Sequence, residues 1–387
     1  MVRQFGKLTV PREVERQAHH MVKDEKFMQM ALQLAEKGEG KTSPNPMVGA
    51  VVVKRDRILA KGFHQKFGGP HAEATALEAC GDQATSATLY INLEPCCHFG
   101  KTPPCTDLII QSRIKRVVCA TTDPNPQVNG KGIESLKKDG IKVSLGILEK
   151  EAKKLNEVYF KYITTKLPFV MLKVVQTLDG RIIHRTEWSD VKQSRFSTKL
   201  TQFGKLWIDA VLCDAGATET DSLKPFLGSA HSAKPKVILI GTWREIWRKL
   251  RKIRKDVHKN IILASTDLET VKRKEQGEFK TWKIKKRKDG QLDLVSLLKK
   301  AGEAGISSLL VEGGTHVTTQ FLKQKLVDKI GYLISPEVWG NGDEPFGDLR
   351  IKKISDSIVL TNCEYKQSRD ALLVVGYPAE LPVGSCQ

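Results

Sequence analysis

His71-Ala72-Glu73 and, further along, Pro95-Cys96-Cys97-His98-Phe99-Gly100-Lys101-Thr102-Pro103-Pro104-Cys105 are the stretches whose reading decides the fold. One imidazole, His71, and two thiolates, Cys96 and Cys105, make three ligands for Zn²⁺. Three protein ligands leave a fourth position for water, the pattern of a catalytic zinc rather than a closed structural one. Glu73 follows His71 too closely in sequence to be a natural fourth ligand. It is well placed to move protons on and off that water. A closed structural site, or cysteines that are merely buried, would need neither Glu73 nor the polar insert between Cys96 and Cys105.

Outward from these motifs the chain alternates helix and strand. Glu25–Glu36 carries an apolar stripe at 27, 28, 31, 32, 34 and 35, with Gly38 and Gly40 as stop signals. Met47–Val53 reads as a buried strand. A helix opens at His71 and runs through Cys80 to Gly81, and Thr88–Leu93 is a strand leading into Pro95. Cys105–Gln111 begins the next helix, Arg116–Thr121 the next strand, and Lys131–Asp139 with Ile141–Gly146 a further helix and strand. This layout puts His71 and Glu73 on the first turn of one helix and Cys105 at the start of another. Two positive helix ends would converge on the metal and favour thiolate and hydroxide. A helix over Lys150–Tyr162 leads to Lys166-Leu167-Pro168, the expected domain boundary.

An H-x-E with P-C-x-x-C is the signature of zinc nucleobase deaminases. Here eight residues, not two, separate Cys96 from Cys105. That insert, with Ser43-Pro44-Asn45-Pro46-Met47-Val48-Gly49 upstream and Thr122-Asp123-Pro124-Asn125-Pro126 downstream, resembles the deaminase half of the bifunctional riboflavin biosynthesis deaminase/reductase family. The resemblance covers roughly residues 23–166, after an N-terminal extension over 1–22. It implies a cytidine-deaminase-like three-layer α/β domain and hydrolytic deamination of 2,5-diamino-6-ribosylamino-4(3H)-pyrimidinone 5′-phosphate. Carried onto matching residues, it implies that Asn45 bonds the ring or ribose and His64 the pyrimidine. Lys101 and Thr102 would take the 5′-phosphate, Asp123 and Asn125 the ribose hydroxyls. His98 would contact substrate, orient a ligand or pack against the loop.

The second half, residues 167–387, opens with the strand Phe169–Gln176 and the turn Thr177-Leu178-Asp179-Gly180-Arg181. Strands follow at Ala210–Cys213, Lys236–Ile240, Asn260–Ala264 and Ser308–Val311. Glu312-Gly313-Gly314 then precedes a helix at Thr315–Gln324, a plausible phosphate or cofactor loop, though two glycines serve a tight turn equally well. The order K-x-x-x-[ST]-L-D-G, E-G-G, Leu326-Val327-Asp328, Pro336, Gly340 resembles the reductase half of the same family. It implies a dihydrofolate-reductase-like domain that reduces the ribosyl group with NADPH, with Lys173, Thr177, Asp179, Ser189, Asp221, Glu312, Gly313 and Gly314 as cofactor-site candidates. The chain departs from the family here. Of the usual G-x-S-x-W-I-T stretch only Ser189 remains, and the glycine, threonine and proline expected further on are Asp214, Ala217 and Leu223. A carboxylate beside a dinucleotide phosphate repels it. Two readings stay open: an NADPH site rebuilt around other groups, or a silent scaffold domain with weak or absent reductase activity.

With 387 residues and 40% hydrophobic composition, the chain has room for two or three cored domains. No apolar run approaches the ~20 residues of a membrane helix, and residues 1–20 contain no signal-like apolar core. The eight cysteines lack a disulfide-like spacing, so a reducing, cytoplasmic compartment is expected. The net charge is +19, and Trp243–Lys288 carries 17 Lys and Arg against 6 Asp and Glu. A tRNA or other nucleic-acid base deaminase is therefore the rival enzyme. The insert, the second domain and the absence of a base-stacking aromatic pattern argue against it, and no specific nucleic-acid partner is expected. The expected partners are the phosphorylated ribosylaminopyrimidine and further copies of the same chain.

Overall fold

The computed structural model describes residues 12–99, 103–183, 208–216, 226, 235–251, 259–267, 279–368 and 370–379. The chain divides into two compact units, Met1–Thr164 and Thr165–Gln387.

In the first unit, five strands pair in the order β2-β1-β3-β4-β5. They are β1 (Gly49–Lys54), β2 (Arg57–Phe63), β3 (Thr88–Ile91), β4 (Arg116–Cys119) and β5 (Lys142–Leu145). β1 runs antiparallel to β2 and β3, whereas β3, β4 and β5 are parallel. Side chains alternate across a strand, and β1 shows the consequence. Val51 and Val53 join Phe27, Met28, Ala31 and Leu32 of α1 (Arg12–Ala35) and Ala152 of α5 (Glu149–Leu155) on one face. Ala50 and Val52 join Ala76 and Leu77 of α2 (Ala72–Cys80), Ile109 of α3 (Cys105–Gln111) and Leu136 of α4 (Lys131–Lys138) on the other. This is the three-layer α/β domain that the resemblance implies.

Three differences from the sequence reading have local causes. α1 begins at Arg12, not near Glu25, because residues 12–24 contain neither glycine nor proline to stop a helix. The single helix expected over Lys150–Tyr162 is broken at Asn156 into α5 and α6 (Glu157–Thr165), where the Asn156 side chain leaves the helix for a loop. Edge strand β2 is largely exposed and holds two basic residues and a glycine, so it carries little apolar signal.

The second unit has a nine-stranded sheet in the order β10-β9-β8-β7-β11-β6-β12-β14-β13. The strands are β6 (Phe169–Gln176), β7 (Ala210–Asp214), β8 (Lys236–Ile240), β9 (Ile261–Ser265), β10 (Lys280–Lys283), β11 (Ser308–Val311), β12 (Lys329–Ile334), β13 (Leu360–Ser368) and β14 (Ala371–Pro378). Strands β10 through β12 in that order are parallel, and the closing pair β14 and β13 runs antiparallel. This is the mixed sheet of a dihydrofolate-reductase-like domain. Helices α7 (Trp243–Leu250), α8 (Leu294–Glu303) and α9 (Thr315–Lys323) connect parallel strands. Leu297, Ala301, Val317 and Phe321 pack on the sheet residues Leu172, Leu212 and Ile238.

The basic stretch belongs in part to α7. Its Ile246 and Leu250 are buried while Arg244 and Arg248 face solvent, the pattern of a solvated helix face. No helix among the described residues is long and apolar enough to cross a membrane. The described cysteines are all free thiols.

Candidate active site

The three candidate metal ligands come from three places that the fold brings together. His71 is the N-cap of α2, in extended conformation, and Gly81 ends that helix with φ 54°. Cys96 lies in the loop after β3, and Cys105 is the first residue of α3. His71 Nδ1 is 3.2 Å from Cys105 Sγ and 3.5 Å from Cys96 Sγ, and the Cys105 amide donates to Cys96 Sγ at 3.4 Å. All three ligand atoms lie within 4.8 Å of one another. One imidazole nitrogen and two sulfurs at this spacing fit Zn²⁺.

The contacts set the charges. The Cys105 thiol, then the neighbouring His71, pull the Cys96 thiol down to about 4 against the cost of burial. His71 is correspondingly raised by Cys96, and Cys105 is raised by Cys96 and by burial. Glu73 is 3% exposed. Burial, then the Cys96 charge, lifts its carboxyl to about 7.

Around this centre lies a cavity of about 290 Å³ lined by His71, Glu73, Cys96, Asn45, His64, His98, Asp123 and Asn125. Asn45 Nδ2 is 3.4 Å from His64 Nε2, and His64 Nδ1 is 2.9 Å from the Pro70 carbonyl. That carbonyl can only accept, so it sets the proton on Nδ1 and leaves Nε2 as an acceptor. Burial lowers the pKa of His64, which keeps the ring neutral. Nδ1 of His98 is buried without a hydrogen-bond partner among the described residues. Asp123 Oδ1 accepts the Asn125 amide at 2.9 Å, and burial raises the pKa of Asp123. Lys101 and Thr102 fall outside the described residues.

Sequence reasoning missed four residues that build this cavity. Tyr159 and Tyr162 of α6 line it. Glu94, 3% exposed, accepts the amides of Asp123, Gly130 and Ile133, and so ties the Asp123–Asn125 loop to the strand end that leads into Cys96. Asn156 holds Met47. A carboxylate directly before Pro95-Cys96 was the one available signal, and its partners are backbone amides that no sequence pattern displays.

In the second unit, Lys173 of β6 meets Glu312 at the end of β11 at 2.6 Å. Thr177 donates to Asp179, which also accepts the amides of Trp339 and Gly340. Gly314, the N-cap of α9, gives its first amides no side-chain cap, and a Cβ on Gly313 would sit 2.9 Å from Val317 Cβ. Ser189, Asp221, Ala217 and Leu223 fall outside the described residues. A second cavity of about 320 Å³ opens at the carboxyl ends of β7, β8 and β9, lined by Asp214, Gly241, Thr242, Glu245, Thr266, His316 and Gln320. Ligands of open parallel sheets bind at such strand ends, and bare amides at a helix start suit phosphate. The strand ends and the open start of α9 therefore fit a dinucleotide. Of the described cofactor candidates none lines this cavity, whereas Asp214 does. Its Oδ1 accepts the Gly216 amide at 2.7 Å, turning the carboxylate toward its own loop.

Residues 21–121 match the cytidine and deoxycytidylate deaminase zinc-binding region, and residues 168–371 match the RibD C-terminal domain. The riboflavin biosynthesis protein RibD of Aquifex aeolicus is 40% identical over 336 residues, which cover 87% of this chain and 93% of that one. That of Escherichia coli is 34% identical, covering 83% and 89%. A solved diaminohydroxyphosphoribosylaminopyrimidine deaminase/5-amino-6-(5-phosphoribosylamino)uracil reductase from Thermotoga maritima superposes with a TM-score of 0.77 at 34% identity, covering 93% of this chain and all of that one.

Proposed function

The chain belongs to the RibD family of riboflavin biosynthesis proteins, and we propose on that basis that it catalyses two successive steps. The first is hydrolytic deamination of 2,5-diamino-6-ribosylamino-4(3H)-pyrimidinone 5′-phosphate. The second is NADPH-dependent reduction of the ribosyl group of the product to ribityl. The observation that carries the first step is the His71–Cys96–Cys105 cluster, with buried Glu73, opening into one cavity with Asn45, His64, His98, Asp123 and Asn125.

His71 Nδ1 and the sulfurs of Cys96 and Cys105 would hold the zinc, which would supply Lewis acidity and a water of lowered pKa. Glu73 takes one proton from the attacking water and passes it to the ring nitrogen, then carries the second proton of that oxygen to the exocyclic amine, which leaves as ammonia while the C=O forms. Asn45, the neutral His64 Nε2 and His98 orient the pyrimidine so that its amine-bearing carbon faces Glu73. Asp123 and Asn125 receive the ribose hydroxyls. Lys101 and Thr102 take the 5′-phosphate through a charge-assisted contact and a hydroxyl. No covalent enzyme intermediate is needed.

For the second step, NADPH supplies the hydride. The start of α9 at Gly313-Gly314 would receive its phosphates. Thr177 and Asp179 brace the turn beside β6, and Lys173, fixed by Glu312, faces the reacting sugar. Ser189 and Asp221 complete the cofactor set. We place the enzyme in a reducing compartment, since its described cysteines are free, and as a homo-oligomer, which light scattering would test. The decisive experiment incubates the purified protein with the diaminopyrimidinone phosphate, with and without NADPH, and identifies the products by mass. Deaminated product alone is expected without NADPH, and the ribityl compound with it. Unchanged substrate in both would overturn the proposal.

A further inference from the structure

Helix α6 supplies no metal ligand and none of the groups assigned to substrate, yet its first turn touches both substrate loops. Asn156 stands where α5 ends and α6 begins, and its carbonyl accepts the Phe160 amide at 2.9 Å. An asparagine at that point ordinarily caps the helix with its side chain. This one, 2% exposed, instead receives the Met47 amide on Oδ1 at 2.8 Å and donates Nδ2 to the Met47 carbonyl at 2.9 Å. Met47 is two residues beyond Asn45. Three positions after Asn156, on the same helix face, the Tyr159 hydroxyl donates to the Asp123 carboxylate at 2.9 and 3.1 Å to its two oxygens.

The chemistry of position 159 singles out the hydroxyl. Tyr159 is 8% exposed and packs its ring beside Phe160, so phenylalanine would fill the same space. A buried hydroxyl is costly unless it finds an acceptor, and this one finds a carboxylate that is itself only 6% exposed. The Asn125 amide holds one oxygen of Asp123 from within the loop. The Tyr159 hydroxyl, coming from a different element, bridges both oxygens and removes the remaining freedom about the carboxylate bond.

We propose that Tyr159 and Asn156 are positioning residues for the deamination: Tyr159 fixes the Asp123 carboxylate in the orientation that receives the ribose, and Asn156 fixes the Asn45 loop through Met47. The inference rests on the reading of Asp123 as a ribose contact.

The test uses the zinc-loaded full chain and compares KM and kcat for deamination in Tyr159→Phe, Asp123→Ala and the double variant, with zinc content as a control. Tyr159→Phe should raise KM about tenfold, as for loss of a hydrogen bond to a charged group, and change kcat no more than about twofold, with zinc unchanged. In the Asp123→Ala background the same substitution should change KM less than about twofold, because a residue acting through Asp123 has nothing left to position. Asn156→Ala should raise KM by a factor that multiplies with that of Asp123→Ala, since it acts through the other loop. Equal effects of Tyr159→Phe in both backgrounds, zinc loss in Tyr159→Phe, or an unchanged KM there while Asp123→Ala raises it, would each overturn the positioning role. An unchanged KM in Asp123→Ala would instead sink the ribose reading, and the inference with it.

Discussion

Lys173 Nζ lies 2.6 Å from Glu312 Oε1, although 139 positions separate the two residues in sequence. They meet because β6 and β11 are parallel neighbours, with Leu172 paired to Val311, so Lys173 within β6 lies beside the residue that directly follows β11. The lysine side chain is 8% exposed and the carboxylate 20%. Lys173→Met would remove the cation that sits 2.6 Å from this mostly buried carboxylate, a change that costs about 3 kcal/mol. A clear drop in Tm is expected. Lys173→Met combined with Glu312→Leu should recover part of it, and both variants should lose reductase activity while keeping deaminase activity.

Cys96→Ser and Cys105→Ser should each lose zinc, because each removes one of the three clustered ligand atoms. Metal analysis of the purified variants checks this. Full zinc occupancy in both would show that the ion is held elsewhere.

Glu73→Gln keeps the shape of the buried side chain and removes its basicity. Zinc and substrate affinity should persist while ammonia release falls by about a thousandfold, within the range for a lost proton carrier. Near-normal turnover would exclude Glu73 as the acid and base.

Asp179 is held at about 2 by the Thr177 hydroxyl and the amides of Gly340 and Trp339. A carboxyl with a depressed folded-state pKa stabilises above its unfolded value, near 4, and loses that contribution as pH falls through about 2. Asp179→Asn should therefore melt below the native protein at pH 5. The gap should close between about pH 4 and pH 2. A gap independent of pH would show that the charge is not what holds the turn.

Asp214 lines the strand-end cavity. Asp214→Asn keeps an acceptor for the Gly216 amide and removes the negative charge. A charge pair a few ångströms apart near water is worth about 1 kcal/mol, so NADPH should bind about fivefold tighter, with the gain shrinking at high salt. Calorimetry of NADPH binding to the two proteins decides it. Equal affinities would place the cofactor phosphates away from this carboxylate.

Much of the first unit was legible along the chain. The strong helix signals, the apolar run before Lys54 and the H-x-E with two later cysteines are local patterns, and α2 and α3 begin and end within a residue of their expected limits. The second unit was less so. Strands β13 and β14 are rich in exposed or half-exposed residues, and their pairing depends on partners far along the chain. Several cofactor candidates also fall outside the described residues.

The sequence by itself determined the chemistry: one imidazole, two thiols and a carboxylate of the right kinds in the right order, since ligand identity is a property of side chains. The tertiary structure alone decided how the loops that line the cavity are held. Glu94 spends its carboxylate on three backbone amides, Asn156 leaves a helix to grip Met47, and Tyr159 reaches Asp123 across 36 positions. Backbone amides are the same at every residue, and long-range side-chain contacts exist only once strands and helices have been packed against one another.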